Sequence, residues 1–474
     1  MRKTRIVCTI GPNILDDENL LSLSRQGMSI ARLNGSHADM DWHRQAISKI
    51  HNVLPNMPIL LDIPGRKIRT MQLHHEPSFE IGEVVILTTE DGHDGSIKVP
   101  INYKELHLDL AIGNTVMADD GTLRFTVIAI EKNDIHCRAE ISGQLKSRKG
   151  INVPFVRLNT PLVTSRDREM IDFACKNKVD FIGLSFVESA AHVLAFRDLI
   201  KIGTPRIVAK VENQGGLDNV EEIAVVADVI MIDRGDLTVE TSLYDIAIKQ
   251  KHIINVARKH GRPVIVATEM LHTMIQNPFP TKSEVCDISN AVLDGCSATM
   301  LSGETAVGDY PFDAVGTMRQ VIDATESYLQ EGFKDVELNE ISIPDAISLA
   351  IPALCRSLPI TKIIAITRSG YAARMISTHR LSQPILAVSD DRIAAKSFNL
   401  FAGVKGIFSE QKFSKTDVDH IIDVIKMLYR DGEIDDRDLV LVAGISYPTP
   451  GQRMNTIQIH SINNLIQLFK WASN

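Results

Sequence analysis

The chain has 474 residues, 44% hydrophobic and 23% charged, which is the balance of an ordinary globular protein of about three domains. Its net charge of -8, with no dense basic stripe, argues against a nucleic-acid binder. No apolar run approaches the roughly 18 residues of a membrane span, so we expect no membrane partner. Six isolated cysteines and the lack of a signal-type N-terminus favour a cytoplasmic protein.

Eight short apolar runs, separated by helical patterns, predict the strands of the largest domain. Nearly all-apolar strands between helices are typical of a parallel sheet that is covered on both faces. Eight such units close naturally into a (β/α)8 TIM barrel, although strand count alone leaves an open doubly wound sheet as an alternative. The predicted strands are residues 5–10, 29–33, 59–62, 181–184, 207–210, 229–232, 264–266 and 298–301.

A different pattern interrupts the barrel at residues 70–148. Here short alternating strands, such as 122–130 and 135–141, are separated by turn signals such as Asp119-Asp120-Gly121. They predict a small β-barrel domain inserted after the third strand of the large barrel. Domains inserted above an active-site face commonly act as lids.

The remaining segments complete the predicted domain organisation. The catalytic barrel takes residues 1–69 and 149–335, on either side of the insertion. Helix and strand alternate again from about residue 343, which predicts an open α/β domain at 340–474. We expect residues 332–339 to be the linker.

Polar side chains follow seven of the eight predicted strands at their carboxyl ends, the face that carries the chemistry of (β/α)8 enzymes. Lys210 and Glu212 share one face of an extended segment, and Asp236 adds a second carboxylate from the next strand. Two carboxylates with substrate oxygens suit Mg²⁺, and the lysine could neutralise a phosphoryl group or an enolate oxygen. A structural salt-bridge network is the alternative. Arg32, Arg69 and Lys149 are candidates for phosphate contacts, although each alone is more typical of an exposed charge.

Together these motifs resemble the pyruvate kinase family over nearly the whole chain. The matching segments are residues 6–12, 31–34, 36–37, 149–154, 209–213, 234–237, 267–271, 290–295 and 300–306. The resemblance implies phosphoryl transfer from phosphoenolpyruvate to ADP, with Mg²⁺ or Mn²⁺, and protonation of the enolate to pyruvate as the last step of glycolysis. It also implies a cytoplasmic, allosteric homotetramer with a lid and a C-terminal regulatory domain.

The resemblance also implies a role for each matching residue. Lys210 would stabilise the transition state, while Glu212 and Asp236 would bind Mg²⁺. The other implied roles are phosphoenolpyruvate binding by Arg32, Gly235, Asp236 and Thr268, nucleotide binding by Asn34, Arg69 and Lys149, and proton supply through Thr268 and Ser302.

A monovalent cation site is also part of what the resemblance implies. Family members bind K⁺ through residues matching Asn34, Ser36 and Asp62, together with the backbone carbonyl of Ile63. Lys67 stands where K⁺-dependent members have Glu, and its ammonium could supply the charge otherwise brought by the ion. We therefore expect that this protein does not require K⁺.

Pro64, Glu188 and Asp233 depart from the family pattern around the site. Glu188 replaces an Arg and Asp233 replaces an Ala beside the metal ligand, so two new carboxylates should repel an anionic substrate unless they are paired, for instance with Arg66 or Lys67. These departures leave two alternatives to an active pyruvate kinase. One is a paralogue that uses a phosphoenolpyruvate analogue or another acceptor, and the other is a catalytically silent metabolite-sensing scaffold.

A loop in the C-terminal domain, Thr367-Arg368-Ser369-Gly370-Tyr371-Ala372, resembles the family's effector-phosphate loop. It implies a site for a sugar-phosphate effector. An ordinary strand-to-helix turn explains the same spacing equally well.

Overall fold

A computed structural model describes residues 3–65, 67–119, 121–156, 158–159, 161–200, 204–329, 342–413, 419–445 and 453–471. The predicted linker at 332–339 and Arg66 lie outside the described residues. Among the helices in the described ranges, none combines the length and the apolar composition that crossing a lipid bilayer requires.

The chain begins with two strand–helix units and a third strand. Strand and helix boundaries follow from local sequence, because Asp16 and Asp39 cap the first two helices through their side chains. The elements are β1 (Arg5–Thr9), α1 (Asp17–Gln26), β2 (Ile30–Asn34), α2 (Met40–Val53), β3 (Ile59–Ile63) and β4 (Ile68–Arg69).

The inserted segment forms a sheet with its own apolar core around Phe79, Phe125 and Val127. Its elements are β5 (Ser78–Phe79), β6 (Val84–Thr88), β7 (Val99–Pro100), α3 (Leu106–Asp109), β8 (Thr115–Ala118), β9 (Leu123–Glu131), β10 (Asp134–Ala139), β11 (Gly143–Gln144) and β12 (Gly150–Asn152). Seven strands pair in the order β4-β12-β8-β9-β10-β6-β7, and β5 pairs with β11. The two strands predicted at 122–130 and 135–141 are confirmed as β9 and β10.

Strand and helix alternate regularly after the insertion. The capping box predicted by Thr164 and Asp167 is present at the start of α4. The elements are α4 (Ser165–Lys176), β13 (Phe181–Leu184), α5 (Ala190–Arg197), β14 (Arg206–Val211), α6 (Gln214–Asp218), α7 (Val220–Val226), β15 (Val229–Asp233), α8 (Arg234–Glu240), α9 (Ile246–Lys259), β16 (Val264–Ala267), α10 (Lys282–Asp294), β17 (Ala298–Leu301), α11 (Gly303–Ala306) and α12 (Pro311–Tyr328).

Eight of these strands close into a parallel barrel in the order β1-β17-β16-β15-β14-β13-β3-β2. Each predicted strand is confirmed to within one residue at either end, and closure excludes the open sheet for this part of the chain. Buried side chains such as Val7, Leu60 and Val208 fill the interior. The surrounding helices pack on the outer faces of the strands, so the barrel is a solid core whose carboxyl ends present the site.

The C-terminal region forms an open five-stranded sheet in the order β20-β19-β18-β21-β22, with only β22 antiparallel to its neighbour. Its elements are α13 (Ile343–Ser357), β18 (Lys362–Ile366), α14 (Tyr371–Ser377), β19 (Ile385–Ser389), α15 (Arg392–Ser397), β20 (Val404–Phe408), α16 (Asp419–Arg430), β21 (Leu439–Gly444), β22 (Thr456–Ser461) and α17 (Ile462–Phe469). The predicted architecture of a (β/α)8 barrel, an inserted β lid and a C-terminal α/β domain is thereby confirmed.

The C-terminal region contacts the amino ends of the barrel strands. Leu400 packs with the side chains of the barrel interior, and Lys396 forms an ion pair with Asp180 just before β13. The opposite end of the barrel, where the strands end, therefore faces the insertion, and a cavity lies between the barrel and the insertion.

Candidate active site

A cavity of about 600 Å³ lies between the carboxyl ends of the barrel strands and the base of the insertion. Its volume is within the usual range of small-ligand sites. The structure brings thirteen of the fourteen predicted site residues to this cavity, and Ile63 is the exception. The thirteen are Arg32, Asn34, Ser36, Asp62, Lys67, Arg69, Lys149, Lys210, Glu212, Gly235, Asp236, Thr268 and Ser302.

Lys210 is buried, lines the cavity and faces three carboxylates. Its Nζ lies 2.7 Å from Glu212 Oε1, 3.2 Å from Asp233 Oδ2 and 3.6 Å from Asp62 Oδ2. Burial alone would lower the pKa of Lys210, but the three carboxylates outweigh it and raise the pKa above its ordinary value. Lys210 is therefore a fixed positive charge.

Glu212, Asp233 and Asp236 form a cluster that fits a divalent metal ion. One carboxylate oxygen of each lies within 4.8 Å of the others. Burial raises the pKa of Glu212 and of Asp236, and the negative charge of Asp233 raises both further. Because a hard cation with oxygen ligands would relieve this crowding of negative charge, the donor set suits Mg²⁺ or Mn²⁺.

Arg32 is held rigidly beside this cluster. Its Nε and Nη2 donate to Asp62 Oδ2 at 3.0 and 2.7 Å, and its Nη1 donates to Thr9 Oγ1 at 2.9 Å. Burial alone would raise the pKa of Asp62, but Arg32 and Lys210 hold that pKa below its ordinary value. The guanidinium is thus fixed in orientation before any anion binds, and Thr9 is a contributor that the sequence analysis missed.

The residues proposed for a monovalent cation already have partners within the protein. Asn34 Oδ1 accepts a hydrogen bond from the backbone of Ser36 at 3.1 Å, and the carbonyl of Ile63 accepts one from Ser185 Oγ at 3.0 Å. Asp62 Oδ2 is engaged by Arg32. Only the contact of Asn34 with Ser36 joins two members of the set, and Asp62 Oδ1 is buried without a hydrogen-bond partner among the described residues.

Lys67 lies against the metal cluster. Its Nζ is 2.6 Å from Asp236 Oδ1, and its ammonium lies over the ring of Phe186. The expectation that Lys67 or Arg66 would neutralise Asp233 is corrected for Lys67, because Asp233 pairs with Lys210 instead.

Thr268 and Ser302 line the cavity from the ends of β16 and β17. Gly235 N–H donates to Thr268 Oγ1 at 2.8 Å, and Thr268 Oγ1 donates to the carbonyl of Ala267 at 2.6 Å. Thr268 and Glu269 both have left-handed backbones, with φ of 66° and 56°. Ser302 Oγ is buried and has no hydrogen-bond partner within the described ranges, so it is not joined to Thr268 directly.

Arg69 and Lys149 enter the cavity from the base of the insertion. Lys149 Nζ lies 2.7 Å from Asp119 Oδ1, and Arg69 Nη1 donates to the carbonyl of Arg148 at 3.3 Å. Asp119 also lines the cavity. The sequence pattern presented this aspartate only as part of a turn, and no spacing signal joined it to Lys149.

The three departures from the family pattern occupy different places. Pro64 lines the reaction cavity, but Glu188 lies in a neighbouring cavity of about 670 Å³, where Asn213 Nδ2 donates to its Oε1 at 2.8 Å. Asp233 is in the reaction cavity and is paired with Lys210. Asp233 thus meets the condition under which no repulsion of an anionic substrate was expected, with Lys210 as its partner. Glu188 accepts a hydrogen bond only from a neutral amide, and it lies outside the reaction cavity.

Comparison with known proteins places this geometry in a family. Models of the pyruvate kinase barrel domain and of the pyruvate kinase alpha/beta domain match residues 1–315 and 345–460. A pyruvate kinase of Geobacillus stearothermophilus is 34% identical over 482 residues, covering 98% of this chain and 81% of its own. One of Clostridium perfringens is 35% identical over 463 residues, covering 95% and 97%.

A solved structure agrees with these sequence relatives. The crystal structure of a pyruvate kinase from Cryptosporidium parvum superposes with a TM-score of 0.86 at 32% identity, and the match covers 97% of this chain and 96% of that one. Both domain types and their order along the chain are thus accounted for. The chain therefore belongs to the pyruvate kinase family.

Proposed function

We propose that this protein is an active pyruvate kinase, which transfers the phosphoryl group of phosphoenolpyruvate to ADP and releases pyruvate and ATP in the cytoplasm. The single observation that carries the proposal is the contact of buried Lys210 with Glu212, beside Asp236, at the open end of a closed barrel. Such an arrangement neutralises a transferring phosphoryl group and a developing enolate, which is the main task in phosphoryl transfer.

Two fixed cations would bind the phosphoryl end of phosphoenolpyruvate. Arg32 is pre-oriented by Asp62 and Thr9, so little ordering is needed when the anion arrives. Lys210 stays protonated at neutral pH because its raised pKa favours the ammonium. Its charge is available both to the phosphoryl oxygens and to the enolate oxygen left after transfer.

Glu212 and Asp236 would hold Mg²⁺ or Mn²⁺. Pyruvate kinases generally use Mg²⁺ and K⁺. When bound, the divalent ion neutralises oxygens of the substrate that the lysine and arginine leave uncovered. Gly235 and Thr268 would contact the carboxylate end of phosphoenolpyruvate, since Gly235 has no side chain and its backbone faces the cavity beside Thr268 Oγ1.

Protonation of the enolate would use the hydroxyl side of the cavity. Ser302 Oγ has no hydrogen-bond partner in the structure's described part, so its proton is free to be donated or relayed. Thr268 Oγ1 is held by Gly235 and Ala267, which fixes its position. We assign proton supply to these two hydroxyls, with Thr268 as the group nearer the substrate.

The nucleotide would bind from the side of the insertion. Asn34 lines the cavity at the end of β2, Arg69 and Lys149 line it at the base of the insertion, and Lys149 would exchange its contact with Asp119 for a phosphate oxygen. We propose the corresponding division of labour along the chain, with residues 1–69 and 149–335 as the catalytic barrel, 70–148 as the lid and 340–474 as the regulatory domain.

We propose that the reaction does not require K⁺. The ammonium of Lys67 already supplies a positive charge within the cavity. Activity in buffer freed of Na⁺ and K⁺ should therefore be close to activity with added K⁺. A strong rise in rate on adding K⁺ would reject this assignment.

The effector site and the oligomeric assembly are proposed from the family resemblance alone. A homotetramer is the assembly we propose, to be measured by analytical ultracentrifugation. A sugar-phosphate effector would bind at residues 367–372, where Arg368 is currently held by Asp390 through Nε and Nη2 at 2.7 to 3.0 Å. Titration with sugar phosphates should shift the apparent affinity for phosphoenolpyruvate, and the absence of any shift would remove this site.

A coupled assay with lactate dehydrogenase, phosphoenolpyruvate, ADP and Mg²⁺ tests the function directly. Turnover supports an active pyruvate kinase. Binding of phosphoenolpyruvate without turnover would favour an enzyme for an analogue or another acceptor, or a silent metabolite-sensing scaffold. The structure gives those alternatives little support, because Glu188 lies outside the reaction cavity and Asp233 is paired.

A further inference from the structure

Asp233 and Lys67 add a carboxylate and an ammonium to the proposed metal site of the reaction cavity. Lys67 Nζ lies 2.6 Å from Asp236 Oδ1, so an ammonium occupies one oxygen of a metal ligand proposed above. Asp233 places a carboxylate oxygen in the same cluster, within 4.8 Å of oxygens from Glu212 and Asp236. Neither Lys67 nor Asp233 has a role in the two-carboxylate site.

We propose that Asp233 is a third carboxylate ligand of the divalent cation and that it is coupled to Lys67. Lys67 engages one oxygen of Asp236, and Asp233 supplies the oxygen that the ion thereby loses. This inference rests on the proposed function, because it concerns the same metal site.

The charges of the cluster support coupling of the two residues. Glu212, Asp236 and Lys210 alone carry one net negative charge, and adding both Asp233 and Lys67 leaves that value unchanged. Adding only one of them would change the charge by a full unit in a site where little water screens it, because Lys210, Glu212 and Asp233 are each more than nine-tenths buried. With both present, the ion has one more carboxylate at no change in charge.

A purely positioning role for Asp233 gives different expectations. Asp233 Oδ2 lies 3.2 Å from Lys210 Nζ and could serve only to orient it. Lys210 would still contact Glu212 and Asp62 without Asp233. In a positioning role, loss of Asp233 affects metal affinity only through its charge and by the same factor with and without Lys67. In a ligand role, the loss of affinity becomes smaller when K67M frees the second oxygen of Asp236.

Direct binding of Mn²⁺ to the full-length protein without substrates, followed by the electron paramagnetic resonance signal of the free ion, distinguishes these roles. We expect D233A to weaken Mn²⁺ binding by at least about tenfold, and D233N to weaken it similarly, because both remove the charged oxygen. K67M alone should tighten binding by a few fold. K67M combined with D233A should bind Mn²⁺ within about threefold of K67M alone, since Asp236 then has both oxygens free, whereas independent effects would carry the whole tenfold loss into the double variant.

One control and three results decide the proposal. D119N changes a carboxylate that lines the same cavity but pairs with Lys149, so it should leave Mn²⁺ affinity unchanged. If E212Q weakens Mn²⁺ binding while folded D233A and D233N bind as wild type, Asp233 is not a ligand and only this inference falls. If E212Q also leaves binding unchanged, the metal site of the proposed function falls with it. If D233A lowers the affinity for Mn²⁺ by the same factor with and without K67M, Asp233 and Lys67 are not coupled.

Discussion

The two ends of the barrel strands bury charged side chains, but in different ways. At the amino end of β14, Asp228 Oδ2 accepts the backbone N–H of Ile207 at 2.9 Å and pairs with Arg197 at 2.9 Å. At the carboxyl end of the same strand, Lys210 faces several carboxylates that border a cavity. The first arrangement leaves each charge with a partner and a backbone bond.

Asp180 repeats the amino-end arrangement on the neighbouring strand. It accepts the backbone N–H of Ile59 at 2.8 Å and pairs with Lys396 at 3.1 Å. Burial of charge is common to both ends of the barrel, so burial alone does not identify a site. What distinguishes the carboxyl end is an excess of carboxylates over cations next to space that an ion and a substrate can fill. Substitutions at the two ends should accordingly separate loss of activity from loss of stability.

K210M should produce the largest effect. It removes the cation that we assign to the phosphoryl group and the enolate, and loss of one such contact costs about 10³-fold in kcat. The measurement is the coupled assay at saturating phosphoenolpyruvate, ADP and Mg²⁺. Circular dichroism and the thermal midpoint serve as the folding control, and a folded K210M with wild-type kcat would contradict the role of Lys210.

T268A should have the next largest effect, a fall in kcat of about 10²-fold, because it removes a hydroxyl assigned to proton supply. T268S is the matched control, since it keeps the hydroxyl that accepts from Gly235 and should retain most of the rate. Exchange of solvent deuterium into pyruvate measures the protonation step separately. Equal kcat values for T268A and T268S would remove Thr268 from that step.

K396M tests the amino end of the barrel, where we expect a loss of stability without a loss of activity. Burial already raises the pKa of Asp180, and removing its ammonium partner leaves a buried charge or forces proton uptake. The free energy of unfolding should fall by about 1–3 kcal/mol, which lowers the thermal midpoint by a few degrees. The values of kcat and KM should stay within about threefold of wild type. A large loss of kcat in folded K396M would break the distinction between the two ends.

Much of the fold could be predicted because local signals agreed with the global architecture. The eight apolar runs gave strand positions to within one residue, and Thr164 with Asp167 marked a helix start correctly. Positions at strand ends also placed Lys210 and Glu212 on one rim. A period of two residues and the direction of parallel strands suffice for that inference.

The pairings within the site could not be predicted from the sequence. Lys67 and Asp236 are 169 residues apart, and which carboxylate the ammonium contacts depends on side-chain direction after barrel closure. The same holds for Arg32 with Thr9 and Asp62, where strand register decides the partners. Turn composition masked Asp119, because an aspartate before Asp-Gly has a sufficient local explanation.

Glu240 is an intermediate case, since it lies near the carboxyl end of the barrel but outside the reaction cavity. Its Oε1 accepts a hydrogen bond from Asn152 Nδ2 at 2.6 Å, and burial raises its pKa to about 7. Between the ordinary carboxyl pKa and about 7, the folded protein keeps a proton that the unfolded chain releases. The contribution of Glu240 to the free energy of unfolding therefore falls as pH rises through this window and is constant above it.

E240Q should remove this contribution, because glutamine keeps the oxygen that accepts from Asn152 and cannot ionise. The thermal midpoint of E240Q, measured from pH 5 to pH 8, should rise relative to wild type as pH increases to about 7 and then run parallel to it. E169Q is the control, because Glu169 is exposed on α4 and its substitution should leave the difference flat. Parallel curves for E240Q and wild type over the whole range would contradict a raised pKa of Glu240 and would leave the reaction cavity as the place where carboxyl pKa values are raised at this end of the barrel.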